Sequence, residues 1–525
     1  MSRPRFALLL DGPPLAAWHA QCIAQLEPVA DLVAVARTNG PTGIGPSSAA
    51  LRWYARRTAR RSIAAAAGPA ATHTADELEA DARALELDFV LALGPGAARV
   101  GRRIEAAHGV WYFAHDRDVD LLPLFRDVYS GSPTTRVALL AERGRETSVL
   151  VDAHLRTERR SYARNRDLAL GLAASWPARV CVRIASGAEH AQPLRAEPHT
   201  AARDRPVLRR YVARTALRRA ERAAERLFRH PQWNIGVLEA APGEILAGAE
   251  TESRIRWFPL EGRGTFLADP FGIERDGRID VLCERFSYRE SRGHIVSASY
   301  GKDWSAEPDG IALRLPVHAS YPFLLDEPDG VYCVPETARA GKVSLYRTTD
   351  FPRGWQEAAV LLDGFEGVDA TVFAWQDRWW LFCTRRGAYE DVELFAWHAD
   401  DLHGPWTAHR QNPIKSDVRS SRPAGPPFEV DGTLYRPAQD CSRRYGWRVA
   451  IARVSRLTPD DFDEDPVAIV EAPPGSPFPD GRHTFAVVGD VVLVDGLRRV
   501  FVAAAFTAFI RNWSRAAADR FVRRR

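Results

Sequence analysis

Five segments in the second half of the chain share one pattern, and this repeat limits the possible folds more than any other feature. They are ADPFGIERDGRIDVLCE, SYPFLLDEPDGVYCVPE, VDATVFAWQDRWWLFCT, SRPAGPPFEVDGTLYRPAQD and RHTFAVVGDVVLVDG. Each carries a polar residue at its opening, runs through a short apolar strand and reaches a turn. The turns are expected at Asp276-Gly277, Asp329-Gly330, Asp377-Arg378, Asp431-Gly432 and Gly489-Asp490. A second apolar strand follows and ends in a polar residue. Asp-Gly between two such strands is a strong hairpin signal, because both residues tolerate the positive φ of a tight turn. Cys283, Cys333 and Cys383 are spaced by fifty and fall at one place in three consecutive second strands. Three equivalent thiols read as small apolar packing rather than as nucleophiles. A period of about 50 residues belongs to blade-like arrays.

Five units predict a five-bladed β-propeller over 233–497, with WNIGVLEA (233–240) as the strand that closes the ring against the last blade. Inner strands of a propeller converge on the axis, so equivalent positions from different blades meet there. The openers Asp269, Tyr321, Asp369, Arg422 and His483 are therefore expected to line one mouth. Glu284, Glu336, Arg385 and Asp440, at the ends of second strands, are expected nearby. Turn chemistry alone accounts for Asp276, Asp329 and Asp431. Asp269 and Asp369 differ, since their offset from the turn puts them at the axis end. Arg422 and Asp440 read either as pocket residues or as structural ion-pair partners, and His483 as a pocket residue or as strand-start packing. Trp375, Trp379, Trp380 and Trp406 fit blade core, with one rim ring available to stack on a sugar.

Residues 1–200 have another texture. RFALLLDG, DLVAVA, FVLALG and VWYFAH alternate with helical stretches such as ADELEADARALELD, which predicts an α/β domain on a parallel sheet. LRWYARRTARRSIAAAA (51–67) is expected to be a helix, with a solvated basic face or an anionic partner. Residues 201–232 predict a linker helix, with ten arginines against three acids between 201 and 230. It is suited to packing on a neighbouring domain or to peripheral contact with an anionic membrane. Nucleic acid is the weaker reading, because readable aromatic interleaving is lacking and the net charge is only +4. Residues 498–525 predict a C-terminal helix. Six cysteines without a CxxC pair or a nearby His cluster argue for free buried thiols, no metal and a cytoplasmic location. The start reads as a strand rather than a secretory signal. No run approaches the roughly 18 apolar residues of a membrane span.

The motifs NPI, RPAG and QDCSRRYG, in that order and together with ADPF, SYPF, DFPRGW and VDATVF, resemble the N-terminal propeller module of plant glucosamine inositolphosphorylceramide transferase. The resemblance covers about 233–495, and the module is similar to the five-bladed fold of glycoside hydrolase family 43. In the plant proteins a separate glycosyltransferase domain follows the module. Here a short helix is expected instead, so transferase activity is not carried over.

The family 43 pattern implies a base at Asp269 and a second Asp, tuning proton affinity and orientation, at Asp369. Its acid Glu would open the fourth blade, where this chain has Arg422. Glu336 or Glu284 is then the expected proton donor, and Arg422 and Arg385 suit a ligand carboxylate or phosphate. The implied function is glycoside hydrolase or transglycosidase-like chemistry on a carbohydrate or glycolipid, without a cofactor. The alternative is a noncatalytic sugar-binding module of surface polysaccharide or glycolipid biosynthesis.

The N-terminal domain resembles the formyltransferase fold of methionyl-tRNA and sugar-nucleotide formyltransferases. GVWYFAH followed by LLPLFR carries that resemblance, which makes His115 the catalytic candidate and sugar-nucleotide formylation a further alternative. Phe113 stands where that family has Asn, and three extra residues separate His115 from Leu-Leu-Pro. Both departures imply a degenerate domain.

Overall fold

The computed structural model describes residues 3–12, 15–38, 49–58, 65–117, 124–185, 187, 192–193, 207–249, 251–262, 264–301, 310–503 and 505–507. The chain divides into two compact units, Met1–Ala220 and Glu221–Arg525. Much of the expected C-terminal helix, and the Leu-Leu-Pro stretch before Leu124, lie outside the described residues.

In the first unit the apolar runs become strands buried on both faces, as central strands under helices must be. Phe89–Leu93 and Arg5–Leu10 lie at the centre, with Asp31–Arg37 and His73–Thr74 on one side and Val110–Phe113 on the other, all parallel. The sheet is mixed rather than wholly parallel. Thr134–Arg143 pairs antiparallel with Val110–Phe113 and returns through a hairpin to Glu146–Arg156. Gly144, at φ 60°, supplies that turn with no helix between the strands. The helix Ala75–Asp81 starts at a capping box, in which Thr74 accepts from the Glu77 amide while Glu77 accepts from the Thr74 amide.

The stretch Tyr162–Ala185 is long and apolar enough to cross a membrane, which the expectation of no such run overlooked. Half of it is buried inside the unit, and it is split into the helices Tyr162–Ala173 and Trp176–Ala185. Within the basic region the helix runs from Leu208 to Phe228. Its first half docks through Tyr211, whose ring meets Phe125 at 5.1 Å. Arg214 donates to the Tyr129 carbonyl (3.1 Å) and Arg218 to those of Val128 (3.1 Å) and Arg159 (3.0 Å). These arginines satisfy carbonyls at the end of the helix Phe125–Ser130 and are structural clamps.

The second unit is a five-bladed propeller. Blade one is Thr265–Arg275, Arg278–Ser287, Arg292–Tyr300 and Gly310–Leu313; blade two runs from Ser320 to Asp363, blade three from Gly367 to Ser416 and blade four from Phe428 to Val470. Blade five joins both ends of the unit. Phe485–Val488 and Val491–Val500 are its inner strands, and His230–Leu238 pairs antiparallel along Val491–Val500 from His230↔Val500 to Leu238↔Val492, with Ile255–Trp257 outermost. The expected closing strand thus does close the ring, and it begins at His230.

Three hairpins turn where expected, with Asp276 and Gly277 at φ 50° and 71°, Asp431 and Gly432 at 49° and 72°, and Gly489 at 55°. In the other two the loop falls one residue earlier, since Glu327 pairs with Gly330 and Trp375 with Arg378. Pro328-Asp329 and Gln376-Asp377 are therefore the turns. Cys283 and Cys383 oppose the bulged positions of their blades, but Cys333 pairs with Leu324 two residues nearer its turn, so the spacing of fifty does not mark one blade position. All three are fully buried, with Cys283 facing Val296, Cys383 facing Phe395 and Cys333 facing Tyr346 across the sheet. Burial pushes all three thiols above their usual range, as expected of packing groups.

Candidate functional site

Three of the openers, Asp269, Tyr321 and Asp369, are not the first residues of their strands but sit at β-bulges, while Arg422 and His483 precede theirs. Ala268 pairs with Glu284 and Phe271 with Leu282, so Asp269 and Pro270 together oppose Cys283. The same irregularity falls between Ser320 and Phe323 and between Val368 and Thr371. Asp269, Tyr321 and Asp369 take φ of 52°, 44° and 52°, a region non-glycine residues avoid. The cost recurs at one position in three blades, where a bulge re-aims the residue toward the axis.

The axial residues form one hydrogen-bonded cluster. Asp269 accepts from the Tyr321 amide (3.1 Å) and the Thr484 hydroxyl (3.3 Å), and His483 Nε2 lies 3.6 Å from its Oδ1. His483 Nδ1 is bonded to Asp495, which also accepts from the amides of His483 (2.8 Å) and Thr484 (3.1 Å). Trp233 stacks on the imidazole at 3.9 Å, and Tyr445 meets its edge at 5.3 Å. On the far side Arg422 Nε donates to Asp369 (2.6 Å) and its Nη1 to Asp391 (3.1 Å), while its guanidinium lies 4.7 Å from the Tyr445 ring centre. Gln439 Nε2 also donates to Asp369 at 2.9 Å.

The electrostatics follow from burial and neighbours. Burial resists a charge on His483, but Asp495 and Asp269 outweigh it and raise its proton affinity above the usual histidine value. Asp495, despite its burial, is held below the usual carboxylate range by His483. Asp269 is pushed up to about 6 by burial, with His483 opposing and Asp369 and Asp495 reinforcing. Glu336 is pushed up to about 7, first by burial and then by Asp369, while Arg422 opposes. Its carboxylate accepts from Ser320 Oγ at 3.1 Å, and it is less buried than Asp269. Burial, then Asp269 and Glu336, hold Glu284 well above the carboxylate range. Glu284 Oε1 lies 3.6 Å from His318 Nε2 and is pressed against Gly293, where a Cβ would approach it to 2.1 Å.

Three predicted residues are placed differently. The register makes Thr384, partner of Val368, the blade-three counterpart of Glu284 and Glu336. Arg385, one residue further, is exposed with its guanidinium 5.4 Å from the Phe365 ring. Asp440 is buried but accepts from Arg448 Nε (2.9 Å) and the Ser442 amide (2.9 Å), so it is a structural ion-pair residue. Tyr321 offers the axis its amide only, because its hydroxyl is bonded to Thr371 at 2.9 Å inside the core. Asp495, Thr484, Gln439 and Asp391 were not anticipated. Asp495 had a readable signal, since it is the polar residue near the end of the fifth second strand.

Asp269, His483 and Asp495 hold ligand atoms within 4.8 Å of one another, the spacing a cation would need. A cation there would displace the proton that the raised affinity of His483 retains and break its bond to Asp495. In the first unit His115 is buried, and burial lowers its pKa to about 4. Its Nδ1 has no hydrogen-bond partner among the described residues, and Asp116 stands 4.0 Å from its Nε2. Burial pushes Asp116 up to about 7, which disfavours an ion pair with His115.

Fold and axis define a class: a five-bladed propeller with a buried carboxylate–imidazolium–guanidinium cluster on its axis. Residues 260–475 match the family described as glucosamine inositolphosphorylceramide transferase 1, N-terminal, as the motifs implied. The chain is 35% identical over 217 residues to glucosamine inositolphosphorylceramide transferase 1 of Oryza sativa subsp. japonica, covering 40% of this chain and 29% of that protein. It is 34% identical over 205 residues to the Arabidopsis thaliana protein of the same name, covering 38% and 27%. The chain thus spans under a third of the length of these curated relatives. Among solved structures, a family 117 glycoside hydrolase from Zobellia galactanivorans aligns over 53% of this chain and 92% of its own at 13% identity, with a TM-score of 0.34. Cellvibrio cellulosa α-L-arabinanase aligns over 38% and 77% at 15% identity, with a TM-score of 0.30.

Proposed function

We propose that the propeller axis is a carbohydrate site at which Asp269 acts as general base and Glu336 as general acid on a glycosidic bond. The observation that carries this reading is that two axial carboxyls, each raised by burial and by Asp369, have proton affinities near 6 and near 7. Around neutral pH one is largely ionised and the other retains a substantial protonated fraction, the division of labour that acid–base cleavage requires. Asp269 takes the proton of a water or acceptor hydroxyl as its oxygen bonds to the anomeric carbon. Glu336 donates its proton to the leaving oxygen as the glycosidic bond breaks. Asp369, fixed by Arg422 and Gln439, orients the sugar without joining proton transfer. The family match of 260–475 to a module of a carbohydrate-transferring protein supports the substrate class.

Asp269→Asn and Glu336→Gln test the assignment. Each is expected to lower turnover at least ~100-fold with the fold intact by circular dichroism. Unchanged turnover of either variant on a verified glycoside would sink it.

A second reading, sugar binding without bond cleavage, is favoured by one observation. The fourth opener is an arginine paired with Asp369 and Asp391, not a carboxylic acid. Calorimetry against a glycan panel with product analysis separates the two readings, since binding with no bond change supports the second.

A further inference from the structure

Beside the axial mouth, the loop Cys441–Trp447 lines a second cavity of about 360 Å³, walled by Arg443, Arg444, Trp447, Glu471, Pro474 and Pro479. One side of this loop belongs to the axis: Tyr445 covers Arg422 and the edge of His483, and Gly446 packs on Trp233. The other side is cationic. Arg444 is half-buried, forms no ion pair among the described residues, and has a buried Nε without a hydrogen-bond partner. Burial and then the nearby Arg499 depress its proton affinity, with Asp480 and Glu225 opposing. Glu471, the only carboxylate in the lining, already accepts from Arg448 Nη1 at 3.0 Å.

The aromatic wall decides what kind of group fits. Guanidiniums lie on Trp447 from Arg443 at 4.3 Å and from Arg448 at 3.9 Å to the ring centre. Cation–π contacts therefore already occupy the ring, and no clear indole face remains for a neutral sugar to stack on. A desolvated guanidinium with an unused N–H is instead matched by an oxyanion, which it bonds through charge-assisted hydrogen bonds.

We propose that this cavity is an oxyanion subsite for a phosphoryl or carboxylate group on the ligand, with Arg444 as its principal donor and Arg443 as a second. The subsite stands apart from proton transfer on the axis. It also relocates the ligand's negative charge from Arg422 and Arg385, one already paired with Asp369 and Asp391 and the other exposed over Phe365.

Titration calorimetry on the full chain at low salt, with inorganic phosphate, glucose 6-phosphate, glucuronate and glucose, tests the proposal. Inorganic phosphate and at least one charged sugar should bind and weaken as salt is raised, while glucose at the same concentration should neither bind here nor compete with phosphate. Binding of glucose 6-phosphate but not glucuronate identifies a phosphoryl site, the reverse identifies a carboxylate site, and binding of both identifies a general oxyanion site. Arg444→Gln should weaken phosphate at least ~10-fold without lowering the melting temperature, because it removes an unpaired charge. Asp269→Asn should bind phosphate as the parent does, which separates failure of this subsite from failure of the axial assignment. Phosphate binding unchanged in Arg444→Gln, competition by glucose, or no binding of any charged probe would overturn it.

Discussion

Asp269 combines a strained backbone with a carboxylate whose charge is contested by its neighbours. His483, raised by Asp495 and Asp269, favours its ionised form, while burial and Asp369 resist it, and the balance falls near 6. With Glu336 near 7, turnover should follow a narrow bell. The acid limb appears as Asp269 gains its proton below about 6, and the alkaline limb as Glu336 loses its proton above about 7. A pH profile of kcat/KM checks this, and Glu336→Gln should remove the alkaline limb from whatever activity remains.

Glu464 shows the opposite balance. Although fully buried, it is drawn down to about 2 by Arg436 and Lys415, with Arg436 Nε at 2.8 Å and Lys415 Nζ at 2.6 Å. A depressed carboxyl contributes stability that is present above its unfolded pKa, near 4.5, and lost as pH falls toward about 2. Glu464→Gln should cost about 3–5 kcal/mol at pH 7, because the buried Arg436 and the half-buried Lys415 lose their partner. Urea denaturation measures it, and the acid-dependent loss should shrink in the variant.

At the scale of elements, blades four and five meet through a backbone contact that tolerates no side chain. Gly425, in the RPAG motif, has φ 146°, and a Cβ there would stand 2.0 Å from the Phe485 carbonyl. The Phe485 amide in turn donates to the Ala424 carbonyl at 2.6 Å. Gly425→Ala should therefore destabilise the propeller by about 2–4 kcal/mol, through overpacking against a backbone that cannot move aside. A lowered denaturant midpoint with an unchanged slope is the expected signature.

The repeat was legible because Asp-Gly turns mark local geometry directly, whereas the Cys283–Cys333–Cys383 spacing does not, since Cys333 lies two residues out of register. What escaped depends on register. Blades one to three share the bulge, but the blade-three hairpin turns at Gln376-Asp377, one residue earlier than expected. That moves the axial position from Arg385 to Thr384, and alternation then turns Arg385 outward. Nothing in VDATVF announces that bulge. The hairpin of Thr134–Arg143 with Glu146–Arg156 escaped as well, since its two-residue turn, Gly144-Arg145, carries no Asp-Gly signal. Arg422 was legible as an opener, but its pairing with Asp391 was not, because Asp391 lies in a loop outside the repeat.

At the scale of the molecule, the family-matched segment 260–475 holds four blades and omits the fifth. His483, Thr484 and Asp495 all lie in the omitted part, so half of the hydrogen-bonded axis is missing from it. A fragment limited to 260–475 should show no cooperative unfolding, whereas 230–507 should melt as one transition; near-UV circular dichroism with a urea titration distinguishes them.

Closure of the ring also sets an order of events in time. His230–Leu238 leaves the ribosome before any blade is complete, and its partner Val491–Val500 follows roughly 250 residues later. At synthesis rates of roughly 5–20 residues per second, the strand waits on the order of tens of seconds with its edge unpaired. Ile235 and Val237, completely buried in the finished ring, are exposed throughout that interval. The nascent propeller therefore presents a sticky strand with one edge unpaired at its N-terminal end, and recovery of folded protein should depend on how quickly the last fifty residues are translated.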